Sequence, residues 1–387
     1  MIFPKKNNLS ILYFLGFVLA VSVALTGYIQ SSFIESFVGL QWLGIFFVGA
    51  MFVTLIAMLF FSELISRFTN YRIVLLFLIL KILAIAMLVL TNSSFWLFPT
   101  FILFIVTTNL IWINMDIFIE SCSSDRLTGK IRGTYFTFLN LGWVLTPLAA
   151  GYLVGNNNYR LAFIAAGLLL IPVLIIFLFK QKKLKDHCHY KHKSILYTVK
   201  KILKSWNLKG IFLISFLLHF FYTVLVIYMP IYLNQYIGFS WPTLGLIFTF
   251  MLLPFILLEY PAGIMADKYL GEKEILILGF FIIIAASALF YFTQSTNVII
   301  WALILFMSRC GAALVESMRE AYFFKIVDVK HVDFINLFRT AQPLAYVVAA
   351  GLGIFLLSIY PLRYLFIFTA TILLSGIYFT LRLRDTK

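Results

Sequence analysis

The stretch that decides the fold is residues 263–293, GIMADKYLGEKEILILGFFIIIAASALFYFT. From residue 274 onward it runs for 20 residues with a single charge, Glu274. A helix rises about 1.5 Å per residue, so about 20 apolar residues cross the hydrocarbon core of a bilayer, which is about 30 Å thick. Residues 274–293 therefore predict a membrane-spanning helix that follows a short polar loop.

The rest of the chain has the same character. Of its 387 residues, 63% are hydrophobic and 12% are charged, whereas a soluble domain is nearer half apolar and about a quarter charged. A soluble fold cannot hide that much apolar surface, so lipid must be the solvent for most of it. The 43 Phe are interpreted as lipid-facing and packing residues rather than as a cofactor site, and no cofactor is expected.

Twelve apolar runs are long enough to span. We predict an all-α membrane protein with twelve transmembrane helices in two parallel-repeat six-helix bundles, residues 1–180 and 208–387, joined by a polar linker at 181–207. Alternating strand patterns are absent. The predicted spans are 9–30, 38–61, 72–91, 95–119, 131–154, 159–180, 208–233, 241–266, 274–293, 297–321, 334–358 and 361–381.

Lysine and arginine set the orientation, because they concentrate in cytoplasmic loops. With the N-terminus inside, 24 of the 30 fall in inside segments and only Arg160 and Arg363 fall outside. Both termini are therefore expected in the cytoplasm. The protein is expected in a plasma membrane or a bacterial inner membrane. The net charge of +15 is then explained by membrane lipid rather than nucleic acid as the partner.

The linker has two parts. Residues 181–193 are charged, and residues 195–206 place apolar side chains on one helical face, which predicts an amphipathic helix on the inner leaflet. We interpret the linker as a tether, with a regulatory role as the alternative. His187, Cys188, His189 and His192 form a weak metal-binding pattern, and we predict no metal site and no disulfide from Cys122, Cys188 and Cys310.

The two halves look like copies offset by about 200 residues. Six spans in each half give both halves the same topology, and such bundles can rock about a site between them. The shared patterns are Asn140-Leu141 with Pro147-Leu148-Ala149 against Asn336-Leu337 with Pro343-Leu344-Ala345, Leu43-Gly44 against Leu244-Gly245, Arg160 with Phe163-Ile164 against Arg363 with Phe366-Ile367, and Asp116 and Glu120 against Glu316 and Glu320.

The loop GIMADKYLGEK, residues 263–273, resembles the G-x-x-x-D-R/K-x-G-R/K signature of major facilitator superfamily transporters. The resemblance implies a cytoplasmic gate that includes Lys268. In it Gly263 admits a neighbouring helix, Asp267 lies at a helix end where it can pair with a cation or a helix N-terminus, and Gly271 allows the turn. The equivalent stretch in the first half, residues 62–72, matches only at Arg67 and Arg72, so the second-half copy is expected to dominate closure.

Two further stretches resemble family motifs. Residues 142–151, GWVLTPLAAG, match a span-5 motif of exporters and antiporters at Gly142, Pro147 and Gly151. The alternative is a kinked helix that packs closely through small residues. The acids that end spans 4 and 10 and the arginines that follow them imply gate pairs, with static anchoring as the alternative. These gate residues are Glu120, Arg132, Glu316, Glu320 and Arg339.

Ionisable groups inside the membrane cost a few kcal/mol or more, so each needs a partner or a purpose. Arg309 in span 10 is a candidate for binding an anionic substrate group, because the resemblance implies that spans 1, 4, 7 and 10 line the cavity. Its alternative is a structural pair with Glu316. Glu259 and Glu316 are the candidates for ion coupling, and Glu259 has the alternative of neutralising Arg319 or Arg339.

The remaining polar candidates are weaker. His219 in span 7 changes charge near neutral pH and would suit proton coupling, although a lone histidine is more often a packing residue. Asn109 and Asn114 are candidate hydrogen-bonding groups in the cavity, and Lys81 has no assigned role.

The sequence therefore predicts a secondary transporter rather than an enzyme, since no nucleotide-binding loop or catalytic constellation is present. Proton-coupled export of a drug or metabolite is favoured over uptake or facilitated diffusion of a sugar or organic anion. A non-transporting sensor or a lipid-handling protein is the alternative of a different class. We expect a monomer with a small-molecule substrate and protons as possible partners.

Overall fold

A computed structural model describes residues 6–121, 128–180, 195–327 and 332–384. Within these residues twelve helical segments are long and apolar enough to cross a membrane, which confirms the twelve predicted spans. In chain order, spans 1 to 12 are Lys6–Gly27 with Gln30–Val38, Leu40–Phe68, Asn70–Leu90, Ser94–Ser121, Thr128–Val154, Tyr159–Phe179, Trp206–Ile231 with a π-helical turn Tyr232–Tyr236, Trp241–Leu257 with Glu259–Lys268, Glu272–Phe292, Val298–Ile326, Val332–Arg339 with Ala341–Leu357, and Tyr364–Leu381.

Span 1 is longer than predicted, because the polar residues after Ile29 do not end it. Gln30, Ser31 and Ser32 are buried, and the Ser31 hydroxyl donates to the carbonyl of Val226 in span 7 at 3.5 Å. Polar side chains that contact the other half are hidden from lipid, so the helical segment continues through them to Val38.

Twelve crossings place Lys6 and Arg384 on the same side of the bundle. We call this side the terminal face and the opposite side, which carries the turns at Gly39, Gly155 and Gly238, the far face. Inside each half the apolar side chains form a continuous packed core.

Two seams join the halves near the far face, span 5 against span 8 and span 2 against span 11. A Cβ on Gly151 would lie 2.4 Å from the carbonyl oxygen of Trp241, and one on Gly245 would lie 2.7 Å from that of Pro147. In the other seam a Cβ on Gly44 would lie 2.8 Å from the carbonyl oxygen of Ala350. Small residues thus let the backbones of the two halves touch.

Hydrogen bonds reinforce this contact at the far face. Gln235 donates to Glu35 at 2.7 Å, and the Trp241 indole donates to Asn157 at 2.7 Å. The described hydrogen bonds between the halves lie in this part of the molecule, so the far face is closed in this conformation.

The linker forms the helix Ile195–Lys204, which packs against Val332–Arg339 at the start of span 11. Ile202 is buried, whereas Leu203 and Trp206 are exposed, as suits a helix at a membrane surface. Lys201 lies over the ring of Phe334 at 5.2 Å. Residues 181–194, with the predicted His and Cys pattern, lie outside the described residues.

Candidate substrate site and ionic cluster

Arg309 lies near the middle of span 10 and is 2% exposed. Its guanidinium sits over the ring of Tyr222 at 5.2 Å and near that of Phe221 at 5.9 Å, so cation–π contacts partly stabilise it. Its Nε and Nη2 atoms have no hydrogen-bond partner in the part of the chain that the structure describes. Among the described residues no carboxylate forms an ion pair with it, so the alternative prediction of a pair with Glu316 is wrong for this conformation.

Glu316 is held by other groups. The Tyr222 hydroxyl donates to its Oε2 at 2.5 Å, and Arg319 lies 3.6 Å from its Oε1. The tyrosine therefore stands between Arg309 and Glu316, with its ring facing the guanidinium and its hydroxyl on the carboxylate.

Arg319 is the centre of an ionic cluster in the C-terminal half. It is 2% exposed, donates to the Ser215 hydroxyl, and lies 3.5 Å from Glu320. The ring of Phe338 covers its guanidinium at 5.5 Å. Two carboxylates, Glu316 and Glu320, and one hydroxyl thus compensate a cation that would otherwise be costly in the membrane.

Arg339 completes this cluster from span 11. Its two Nη atoms donate to both oxygens of Glu320 at 2.7 and 3.4 Å, which is the bidentate geometry of strong arginine–carboxylate pairs. The pair lies within one half, so it cannot close a gate between the halves by itself. Arg339 also interacts electrostatically with Asp116 of span 4, in the N-terminal half.

Glu259 begins the second helix of span 8 and is half-buried. It interacts electrostatically with Glu316 and Glu320. In the described part of the chain it has no ion-pair partner, so the prediction that it neutralises Arg319 or Arg339 through a direct pair is wrong for this conformation.

The weaker candidates lie in packed surroundings. His219 packs edge-on against Tyr222, with 6.0 Å between ring centroids. Asn109 and Asn114 donate to carbonyls of their own helix, at Ile105 and Leu110. Asn114 is fully buried and its backbone carbonyl accepts from Asn70 of span 3, so in this conformation it does not reach an open cavity.

The terminal-face loop after span 8 has the predicted turn but not the predicted packing. Gly271 has a φ of 106°, a region that favours glycine. A Cβ on Gly263 would meet no described atom within 4 Å, so the described residues do not show the predicted close approach of a helix there. Lys268 is exposed, and the side chain of Asp267 lies outside the described residues.

The first-half counterpart is exposed as well. Arg67 pairs with Glu63 at 2.5 Å, with both side chains more than half exposed, and Arg72 is exposed. The side chains of Glu120 and Arg132 lie outside the described residues, so their predicted pairing stays a prediction.

The span-5 motif lies in the contact between helices. A Cβ on Gly142 would lie 3.2 Å from the carbonyl oxygen of Phe17 in span 1, and Pro147 and Gly151 belong to the seam with span 8. This placement agrees with the packing interpretation of the motif.

Lys81 in span 3 is a second buried cation, 1% exposed. Its Nζ lies 5.5 Å from the ring centroid of Phe104, and no described carboxylate pairs with it. It lies inside the N-terminal bundle rather than in the cluster around Arg319.

Sequence reasoning missed the tyrosines of the site. Tyr28 in span 1 and Tyr346 in span 11 interact electrostatically with Arg309, and Tyr222 contacts it directly. With 20 Tyr in the chain, no pattern distinguishes these three from the tyrosines of the membrane interface.

Comparisons with known proteins agree with this architecture. The family model of the Major Facilitator Superfamily matches residues 9–243 and, a second time, 211–387. A search of curated proteins finds no match. Among the solved structures that share the fold, two are each 13% identical to this chain. The first is a bacterial homologue of the human lysosomal transporter Spinster, in an inward-facing and unoccupied conformation. The second is a POT family transporter in complex with 5-aminolevulinic acid. The first has a TM-score of 0.71 over 97% of this chain and 96% of its own, and the second 0.77 over 98% and 96%.

Proposed function

The chain belongs to the Major Facilitator Superfamily and is a multi-pass membrane transporter rather than an enzyme, and we propose that it moves a small organic anion by proton-coupled alternating access. The observation that carries the proposal is Arg309, a buried cation in span 10 whose Nε and Nη2 atoms have no hydrogen-bond partner among the described residues.

An anionic substrate would supply the negative charge and the hydrogen-bond acceptors that Arg309 lacks among the described residues. An arginine in the membrane costs a few kcal/mol unless it is paired, and its planar fork matches a carboxylate. Tyr222 of the C-terminal half contacts its guanidinium. Tyr346 of the same half and Tyr28 of the N-terminal half interact with it electrostatically. Groups of both halves thus act on Arg309, as expected for a site that two rocking bundles share.

The closed far face supports alternating access. If the terminal face lies in the cytoplasm, as the lysines and arginines predict, we infer that a conformation with a closed far face gives access to the site from the inside. Glu316, Glu320 and Arg339 are 33%, 25% and 29% exposed, which suits side chains beside a space that reaches the terminal face.

We assign proton coupling to Glu259. Among the described residues it forms no ion pair, and it interacts electrostatically with Glu316 and Glu320. Neighbouring carboxylates resist being ionised together. Export is favoured by the span-5 resemblance, and uptake is the alternative direction.

The test is a melting-temperature panel on the purified protein with benzoate, succinate, 5-aminolevulinic acid, glucose and the cation tetraphenylphosphonium. A ligand that binds only the folded state adds about 2.7 kcal/mol at a hundred times its dissociation constant. We expect a carboxylate to shift the melting temperature, and Arg309→Gln to abolish the shift. Arg363→Gln is the matched control, because Arg363 also lies over two aromatic rings but near the far face.

A shift by the cation alone, unchanged in Arg309→Gln, would overturn the anion proposal and favour drug export. For coupling, we expect a pH gradient to drive uptake of the responding carboxylate into proteoliposomes, and Glu259→Gln to abolish that dependence. Glu274→Gln, an exposed carboxylate, is the control.

A further inference from the structure

We propose that Tyr222 is a positioning residue that transmits occupancy of Arg309 to Glu316, and through it to the ionic cluster. The inference rests on the proposed role of Arg309 as the anion site. It adds a residue that no sequence motif marks and assigns it a part in the transport cycle.

The geometry places one side chain between two groups that do not meet. Arg309 and Glu316 are seven residues apart on span 10, about 10 Å along the helix axis. Tyr222 projects from span 7 between them. Its ring lies 5.2 Å from the guanidinium carbon, and its hydroxyl donates to Glu316 at 2.5 Å.

The two contacts of Tyr222 strengthen each other. A cation over the face of a phenol ring draws electron density from it, which makes the O–H group a better donor to a carboxylate. An anion bound to Arg309 would neutralise the cation, or draw the guanidinium off the ring, and so weaken the bond to Glu316. No proton is transferred and no covalent bond changes in this step.

Contacts beyond Glu316 carry the change onward. Glu316 shares Arg319 with Glu320, at 3.6 and 3.5 Å. Glu320 holds Arg339 of span 11, which interacts electrostatically with Asp116 of the N-terminal half. Once Glu316 is released from Tyr222, it is free to move closer to Arg319. That movement changes how strongly Arg319 attracts Glu320, and therefore how strongly Glu320 binds Arg339.

A merely structural Tyr222 makes a different prediction, because coupling between two sites is reciprocal. If an anion at Arg309 weakens the bond from Tyr222 to Glu316, then removal of that bond must tighten anion binding. If the hydroxyl only supports the fold, its removal leaves binding unchanged or weakens it.

The experiment measures benzoate affinity by calorimetry for the wild type, Tyr222→Phe, Glu316→Gln and the double variant. Tyr222→Phe keeps the ring over Arg309 and removes only the hydroxyl. We expect it to bind benzoate about fivefold more tightly, at the low end of typical coupling, and to have no further effect in the Glu316→Gln background. Tyr232→Phe is the control, a buried tyrosine of the same segment that packs on Trp301 and Phe366.

Unchanged or weaker binding in Tyr222→Phe overturns the proposal, and so does a tightening that persists in the Glu316→Gln background. If benzoate does not bind the wild type, that result counts against the proposed substrate class. The relay is then decided by the ligand-free protein, with 3-fluorotyrosine at position 222 and fluorine NMR. Arg309→Gln should move the resonance toward that of Glu316→Gln, and an unmoved resonance refutes the relay.

Discussion

The two halves share one topology but hold their buried cations differently. Lys81 of the N-terminal half is 1% exposed, and its Nζ lies over one aromatic ring, that of Phe104. Arg309 of the C-terminal half is 2% exposed but lies next to Tyr222, which connects it to two acids and two further arginines. The exposed fraction therefore does not distinguish the two cations, whereas their neighbours do.

The repeat makes this asymmetry visible position by position. At the offset of 200 residues, Arg309 and Arg319 stand where the N-terminal half has Asn109 and Ile119. The acids Asp116 and Glu120 have counterparts in Glu316 and Glu320, whereas Arg309 and Arg319 have no arginine counterpart at this offset. The repeat therefore preserves the acids and the seams but not these two buried arginines.

Among the variants that test this difference between the halves, Arg319→Ala is expected to have the largest effect on stability. Removing a buried cation leaves Glu316 and Glu320 without it, and breaking a buried ion pair costs about 3–5 kcal/mol. We expect a large fall in the melting temperature in detergent. Arg67→Ala in the N-terminal half should cost no more than about 1 kcal/mol, because its pair with Glu63 is exposed. Equal losses would show that the cluster is not specially stabilising.

The seam between spans 5 and 8 provides the next test. Gly151→Ala puts a methyl group 2.4 Å from a backbone oxygen of the other half, and such overpacking costs about 1–3 kcal/mol. The closed far face should lose population by roughly tenfold. Spin labels at Ser36 and Ser240 would then show longer distances. Gly351→Ala is the control, since a Cβ there meets no described atom within 4 Å. A similar change in that variant would contradict the prediction.

The smallest expected change in stability comes from a comparison of the two buried cations, Lys81 and Arg309. Lys81→Met should raise stability by about 1–2 kcal/mol, since replacing a buried charge with a packed apolar group is often neutral or stabilising. The carboxylate response in the melting assay should persist. Arg309→Met should abolish that response. Loss of the response in Lys81→Met would show that the N-terminal half also carries a substrate-binding cation.

Much of the fold was predictable, because lipid imposes a length and a composition on each span separately. The twelve spans follow from apolar runs of about 20 residues, and the repeat follows from patterns such as Leu43-Gly44 and Leu244-Gly245, which lie in equivalent seams. Errors came where a polar side chain met protein instead of lipid, as at Gln30 and Ser31.

The candidate site was predictable only in part. Arg309, Glu259 and Glu316 stood out because charges are rare inside a membrane. Their partners did not stand out, since a pair depends on which helix faces which. The alternative interpretation of Arg309 paired it with Glu316 along one helix, whereas the structure places Tyr222 of another helix between them.

The sequence by itself determined the membrane, the number of spans, the repeat and the identity of the buried charges, because each depends on the residues of one segment in contact with lipid. The tertiary structure decided which charges meet, which tyrosines surround Arg309 and which face is closed. Those features depend on contacts between helices distant in the chain, and side chains that face a neighbouring helix carry no periodic pattern that reveals which neighbour it is.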